Sequence, residues 1–288
     1  MTKKFGFKRL LCLLLALAML MSLSACGLGS AITAAKVARA MSKLESVSGD
    51  MELELELSAY SLKIPATLSA PVDFIISPFA LHADTQIEIS GQSVPVLKIY
   101  AEKADKKLNL YLGATANSLL GSKEVWTASQ STLKDSPKFG VKTILAIYSA
   151  LVDSFSEAGT EKLGRYNTVR YEGVLPEALV EKFFEGSGGM TVSDVKFSES
   201  ELIDAFSDTP VSFWLDSDTH CIVKLEMDLS RSADILFLGI LSQALGTELD
   251  AGIDKAVMSF TVSSFDTVDE IVIPQEAKDA LEEALSKK

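Results

Sequence analysis

MELELELSAY, residues 51–60, decides the fold. Leu53, Leu55 and Leu57 alternate with Glu52, Glu54 and Glu56. A helix would scatter these six side chains around its circumference. A strand puts the leucines on one face and the glutamates on the other, because successive side chains point to opposite sides of the pleat. One apolar and one charged face is the pattern of an antiparallel sheet with a covered side and a solvated side. The three glutamates read as that solvated face and not as a cation site.

Working outward, the same pattern recurs. PVDFIIS (71–77) and FALHADTQIEIS (79–90) read as strands, the second with Leu81, Ala83, Thr85, Ile87 and Ile89 on one face. Segments 96–102 and 107–112 flank Lys103-Ala104-Asp105-Lys106 as a hairpin, and 123–128 carries Trp126. Strands are also expected over 161–175, 255–265 and 268–273, and a hairpin over 211–215 and 221–229 around Asp216-Ser217-Asp218-Thr219-His220. Before the deciding strand, Val37, Met41 and Leu44 fall at helical spacing.

Further helices are expected elsewhere. Residues 138–158 carry Val141, Ile144, Leu145, Tyr148, Leu151, Val152 and Phe155 on one wide apolar stripe. Pro176 opens a second helix, as proline does at a first turn. A third covers 198–206. The stretch 233–245, with Ile235, Leu236 and Leu238, is apolar nearly all round and too short to span a bilayer. Residues 274–288 form a polar helical tail. The class expected is α+β, and residues 34–288 read as a single domain.

The amino terminus carries the clearest chemistry. Lys3, Lys4, Lys8 and Arg9 precede the apolar run Leu10–Met21, which ends at Leu23-Ser24-Ala25-Cys26-Gly27. Charge, short apolar core and small residues in that order make a secretory signal. The cysteine directly after the small residues is the pattern of a bacterial lipobox. Residues 1–25 are read as the signal and 26–33 as a lipidated tether, with the Cys26 thiol taking the lipid. Two or three acyl chains anchor stably where one does not, at about 0.8 kcal/mol per buried methylene. The mature chain belongs on the extracytoplasmic face of the membrane.

Charge and cysteine count limit the function. Losing the signal removes four of the 27 Lys and Arg and none of the 39 Asp and Glu, which leaves a net charge of −16. That disfavours nucleic acid and polybasic attachment to anionic lipid. Cys12 leaves with the signal and Cys26 takes lipid, so Cys221 has no intramolecular partner and reads as a small buried hydrophobe. His82 and His220 are the two histidines, on a strand's polar face and beside a turn. No HExxH, GxSxG or GxxxxGK[ST] occurs. Asp216-Ser217-Asp218 lacks the Gly and Glu of a calcium loop, and Gly186-Ser187-Gly188-Gly189 reads as a flexible loop. No catalytic residue, metal or cofactor is called for.

The order of elements resembles a known group. After the lipobox, helix, wet-faced strand and meander come Pro210-Val211-Ser212-Phe213-Trp214-Leu215-Asp216, then Ile222-Val223-Lys224-Leu225-Glu226-Met227-Asp228, and finally Ser264-Phe265-Asp266 leading to Ile271-Val272-Ile273-Pro274. This is similar to the LolA/LppX-like bacterial lipoproteins. The resemblance implies a curved antiparallel half-barrel with helices on its concave face, and a space there for lipid. Candidate lining residues are Val141, Ile144, Leu145, Tyr148, Leu151, Val152, Phe155, Ile235, Leu236 and Leu238. Of this chain's functional residues the resemblance carries over Cys26 alone.

Two functions stay open at this point. One is a tethered binder of a lipid or other amphiphile. The other is a non-catalytic envelope interaction or sensor-accessory protein with a filled core, whose acidic surface would meet a basic partner. A lined cavity and a filled core use the same residue types. A hydrolase without a recognisable motif is a third reading.

Overall fold

The computed structural model describes residues 36–37, 39–59, 62–105, 107–118, 121–132, 155–184, 190–192, 195–235 and 251–286. Thirteen strands are described: β1 Ser46–Ala59, β2 Leu62–Ile75, β3 Ala80–Ile89, β4 Gln92–Ala104, β5 Lys107–Ser118, β6 Gly121–Thr132, β7 Phe155–Leu163, β8 Tyr166–Val174, β9 Met190–Val192, β10 Val195–Phe197, β11 Pro210–Asp216, β12 Ile222–Asp228 and β13 Ala251–Phe265. Three helices carry labels: α1 Glu177–Phe184, α2 Glu199–Phe206 and α3 Gln275–Ser286.

Eleven strands form one open sheet in the order β6-β5-β4-β3-β2-β1-β13-β12-β11-β8-β7, and β9 pairs with β10 apart from it. Every pair with a described register is antiparallel. The α+β class and the antiparallel sheet expected from the alternating segments are what the chain forms. The molecule divides into two compact units: residues 1–43, 54–65 and 140–259, and residues 44–53, 66–139 and 260–288.

In the first unit, α1 and α2 share one core. Val180, Phe184, Phe197, Leu202, Ala205 and Phe206 are buried together, with Leu175, Ile203, Leu229 and Ile235 packed against them. The start of α2 is set by a capping box. The Ser198 hydroxyl accepts from the Glu201 amide at 3.2 Å, and the Glu201 carboxylate accepts from the Ser198 amide at 2.6 Å. Two orphan amides are satisfied reciprocally, which is why the helix expected from residue 198 begins where it does. In the sheet of this unit Phe213, fully buried, is stacked on Tyr171 at 5.1 Å and tilted against Phe155 at 5.4 Å.

In the second unit, β2 to β6 form a meander. The β3–β4 turn uses Ser90 and Gly91, both at positive φ (54° and 78°), as a two-residue hairpin turn of matching twist requires. On one face α3 lies over β5 and β6. Tyr111, Ile273, Ala277 and Leu281 are buried there, with Tyr100, Trp126 and Ala128 against them.

Three expectations change. The helix expected over 138–158 is strand from Phe155 onward, because Phe155 pairs with Gly173 of β8 and its ring packs on Phe213. The single strand expected over 161–175 is a hairpin, broken at Gly164, where φ is +55°. Residues 268–273 are not a strand: Asp266 turns the chain at φ +55°, and its carboxylate accepts from the amides of Glu45 and Ser46. The tail forms the expected helix, α3, with Ala277 and Leu281 buried against the sheet. The described part of the apolar stretch expected over 233–245 belongs to a helical segment at 230–235.

Candidate functional site

Cys26 lies outside the described residues, as do the candidate lining residues Val141, Ile144, Leu145, Tyr148, Leu151, Val152, Leu236 and Leu238. The two remaining candidates both sit in packed surroundings. Phe155 is 7% exposed against Phe213, and Ile235 is partly buried on the α1–α2 core. They lie in the same unit, but no described cleft joins them.

The described apolar opening is elsewhere. A cleft of about 380 Å³ in the second unit is lined by Ile87, Ile89, Ser90, Gln92 and Val94. That is at the lower end of the roughly 300–1,000 Å³ typical of small-molecule sites. Its walls follow from register. Ile87 stands opposite Val94 and Ile89 opposite Gln92 across β3 and β4. The β3 side chains at 81, 83 and 85 on this face are buried, whereas Ile89 is 43% and Val94 46% exposed at the hairpin end. A bulge after Thr85 inserts an extra residue in β4 and leaves Val96 exposed as well. From Ile89 to Leu97 the chain carries no charge. The alternation of β3 placed Ile87 and Ile89 on one face; that the face runs out from under its cover at the hairpin end was not readable, because cover is a tertiary property.

Several of the chemistry-bearing side chains singled out from the sequence are engaged by neighbouring charges. Glu56 accepts from Lys63 at 2.5 Å, Asp254 pairs with the same ammonium at 3.0 Å, and Glu54 pairs with Lys255. Hydrogen bonding to Glu56, and then to Asp254, holds the Lys63 ammonium above the ordinary lysine range. Two of the three β1 glutamates, Glu54 and Glu56, are therefore paired with lysines of β13 and β2. As exposed pairs these contribute little stability.

His82 is not a freely solvated strand residue. Its ring stacks on Tyr100 at 4.5 Å, with Asp73 at 3.9 Å and Asp84 at 3.5 Å on either side. Asp216 is 2% exposed, and its carboxylate is taken by the Thr219 amide (2.9 Å) and hydroxyl (2.6 Å). It builds the β11–β12 turn in which His220 adopts φ +61°. Cys221 is buried beside that turn. Among the described residues no three His, Cys, Asp or Glu side chains are placed to hold a metal ion. No described helix is long and apolar enough to cross a membrane.

A buried polar cluster went unnoticed in the sequence. The Tyr111 hydroxyl donates to Glu102 at 2.7 Å, Asn109 donates to the same oxygen at 3.1 Å, and Gln130 donates to Asn109 at 2.9 Å. Burial first, and then the Glu102 carboxylate, push the Tyr111 hydroxyl well above the ordinary phenol range. Trp214 in the other unit is also nearly buried. Its indole N–H donates to Glu161, and Lys224 and Arg170 lie over its ring at 4.5 and 5.2 Å. Both sets of contacts order the sheet and expose no reactive group.

No protein-family description matches the chain, and no curated protein sequence does. Solved structures do. The chain is similar to the lipoprotein LppX of Mycobacterium tuberculosis. Identity is 14%, with 84% of this chain and 97% of that one covered, at a TM-score of 0.40. LprF from Mycobacterium bovis matches at 12% identity over 85% of this chain and 93% of that one, with a TM-score of 0.37. A Vibrio parahaemolyticus domain assigned to outer membrane lipoprotein sorting matches at 11% over 87% and 97%, with a TM-score of 0.25. Their ligands and partners are properties of those proteins.

Proposed function

We propose that this chain is an extracytoplasmic lipoprotein, tethered to the membrane through a lipid on Cys26, that binds a lipid or other amphiphile by its apolar surface and carries out no catalysis. The observation that carries the reading is the lipobox Leu23-Ser24-Ala25-Cys26 behind a basic, then apolar, leader. A protein held at a bilayer meets amphiphiles first. The apolar cleft of Ile87, Ile89 and Val94, open to solvent, supports a greasy ligand. The engaged state of the titratable clusters supports the absence of catalysis.

Anchoring is tested by metabolic labelling with a radioactive fatty acid. The wild-type chain should take up label and stay with membranes, and Cys26→Ala should lose the label and be released or mislocalised. Membrane retention of an unlabelled wild type would refute the anchor. Binding is tested on the Cys26→Ala chain with a fluorescent fatty acid and by solvent extraction followed by mass spectrometry. Ile89→Asp with Val94→Asp places two carboxylates in the cleft and should weaken binding at least tenfold. No extracted lipid together with no probe binding would remove the amphiphile reading and leave the anchor standing.

The second reading, an envelope interaction or sensor-accessory protein with a filled core, is favoured by the packed positions of Phe155 and Ile235. Cross-linking in membranes would return a stoichiometric partner if it holds.

A further inference from the structure

The open sheet ends in two edge strands, and they are built differently. β7 is interrupted by a bulge between Glu157 and Gly159. It carries Glu157, Glu161 and Lys162 on a strand exposed from Ser156 to Lys162. Charges and bulges are the means by which sheets keep an edge from pairing with another chain. β6 has neither over most of its length. It pairs with β5 in unbroken register from Gly121 opposite Ser118 to Thr132 opposite Lys107. From Val125 to Thr132 its sequence, VWTASQST, has no charge, no proline and no glycine. Among the described residues no strand lies on its outer side. α3 packs on one face of β6, against Trp126 and Ala128, and the other face presents Val125 and Thr127 to solvent.

We propose that β6 is a self-association edge, on which two copies of this chain join β6 to β6, antiparallel, about a two-fold axis. The occupant is a second copy because β6 complements itself. With Thr127 on the axis opposite Thr127 of the second copy, Val125 faces Ser129 and Trp126 faces Ala128, so each face meets its own kind. Glu124 falls opposite Gln130 and position 123 opposite position 131, so no like charges meet, and like charges directly opposite are what weakens such a pair. A two-fold contact of this kind is isologous and closes on itself. The joined sheet then has only β7 strands as its outer edges, and these are bulged and charged. Assembly stops at two copies for that reason. The chain's overall acidity, −12 formally, opposes association of any surface that is not uncharged.

The test uses the full chain, extracted from membranes in detergent, with its mass measured by light scattering after gel filtration and corrected for bound detergent. The wild type should have twice the chain mass. Val125→Lys with Thr127→Lys, and separately Val125→Glu with Thr127→Glu, should each give single chains, because both positions are exposed and residue 127 would meet its own charge across the axis. Mixing the two variants should restore the doubled mass, which a folding defect would not do. On the wild type alone, dilution through the dissociation range should speed hydrogen exchange at the amides of residues 125–132 and leave β7 unchanged. A wild type of single mass, a double mass that survives both variants, or a mixture that stays single would each overturn the proposal.

Discussion

Tyr111→Phe isolates one hydrogen bond in the α3-covered core. The ring stays, so packing against Ile273, Ala277 and Leu281 is kept. What goes is the 2.7 Å bond from the hydroxyl to Glu102. Hydrogen bonds to charged groups contribute roughly 1.5–3 kcal/mol. Glu102 is half-buried and keeps Asn109 as a donor at 3.1 Å, so the expected loss lies at the lower end, about 1.5 kcal/mol. At roughly 2–4 °C per kcal/mol for a chain of this size, that is a fall of about 4 °C in Tm. Urea unfolding followed by tryptophan fluorescence measures it, with Trp126 reporting from the same cluster. A pH series gives an independent check. The folded Tyr111 hydroxyl titrates above its unfolded value of about 10. Its contribution is therefore complete below pH 10 and is lost as pH rises above it, by up to about 1.4 kcal/mol per pH unit. The wild-type advantage over Tyr111→Phe should be flat to about pH 9.5 and gone near pH 11. Equal stability at pH 7, or an advantage that grows with pH, would refute the reasoning.

Two further substitutions test the described units separately. A Cβ on Gly113 would stand 2.7 Å from the Trp126 ring, so Gly113→Ala should cost about 1–3 kcal/mol by overpacking and shift the Trp126 emission; an unchanged spectrum and midpoint would show that the ring moves freely. Ser198→Ala removes one half of the α2 capping box and should cost about 1 kcal/mol by urea midpoint, with Ser198→Gly recovering most of the loss; equal losses for the two would place the effect outside the cap.

Much of the sheet was legible because alternation is a local signal. Strand β3, strand β5, the β11–β12 hairpin and helix α2 follow from residue type and spacing within a dozen positions. Phe155 shows where that reading stops. It continues the apolar helical stripe from Val141, yet pairing with Gly173 and contact with Phe213 put it in a strand. Neither partner is near it in sequence. The candidate site divides in the same way. Ile87 and Ile89 were placed on one face by alternation, but Val94 joined them only through the register of β4. The hairpin that holds Glu102, Asn109 and Tyr111 was legible, but their contacts were not, since these depend on the exact β4–β5 register and on the cover of α3.

Sequence by itself determined the α+β class and the start of α2, since alternation and capping depend on neighbours within one element, and the proposal of a lipid anchor on Cys26 rests on sequence alone. Tertiary structure decided which apolar faces are covered. The tail over residues 275–286 reads as polar, and it becomes a docked helix because Ala277 and Leu281 meet Tyr111 and its neighbours on β5 and β6. Ile89 shares a strand face with the buried Leu81 and Ala83, and it is exposed because the hairpin carries it beyond their cover. Burial is a relation between distant segments, and residue order fixes only which face each segment offers.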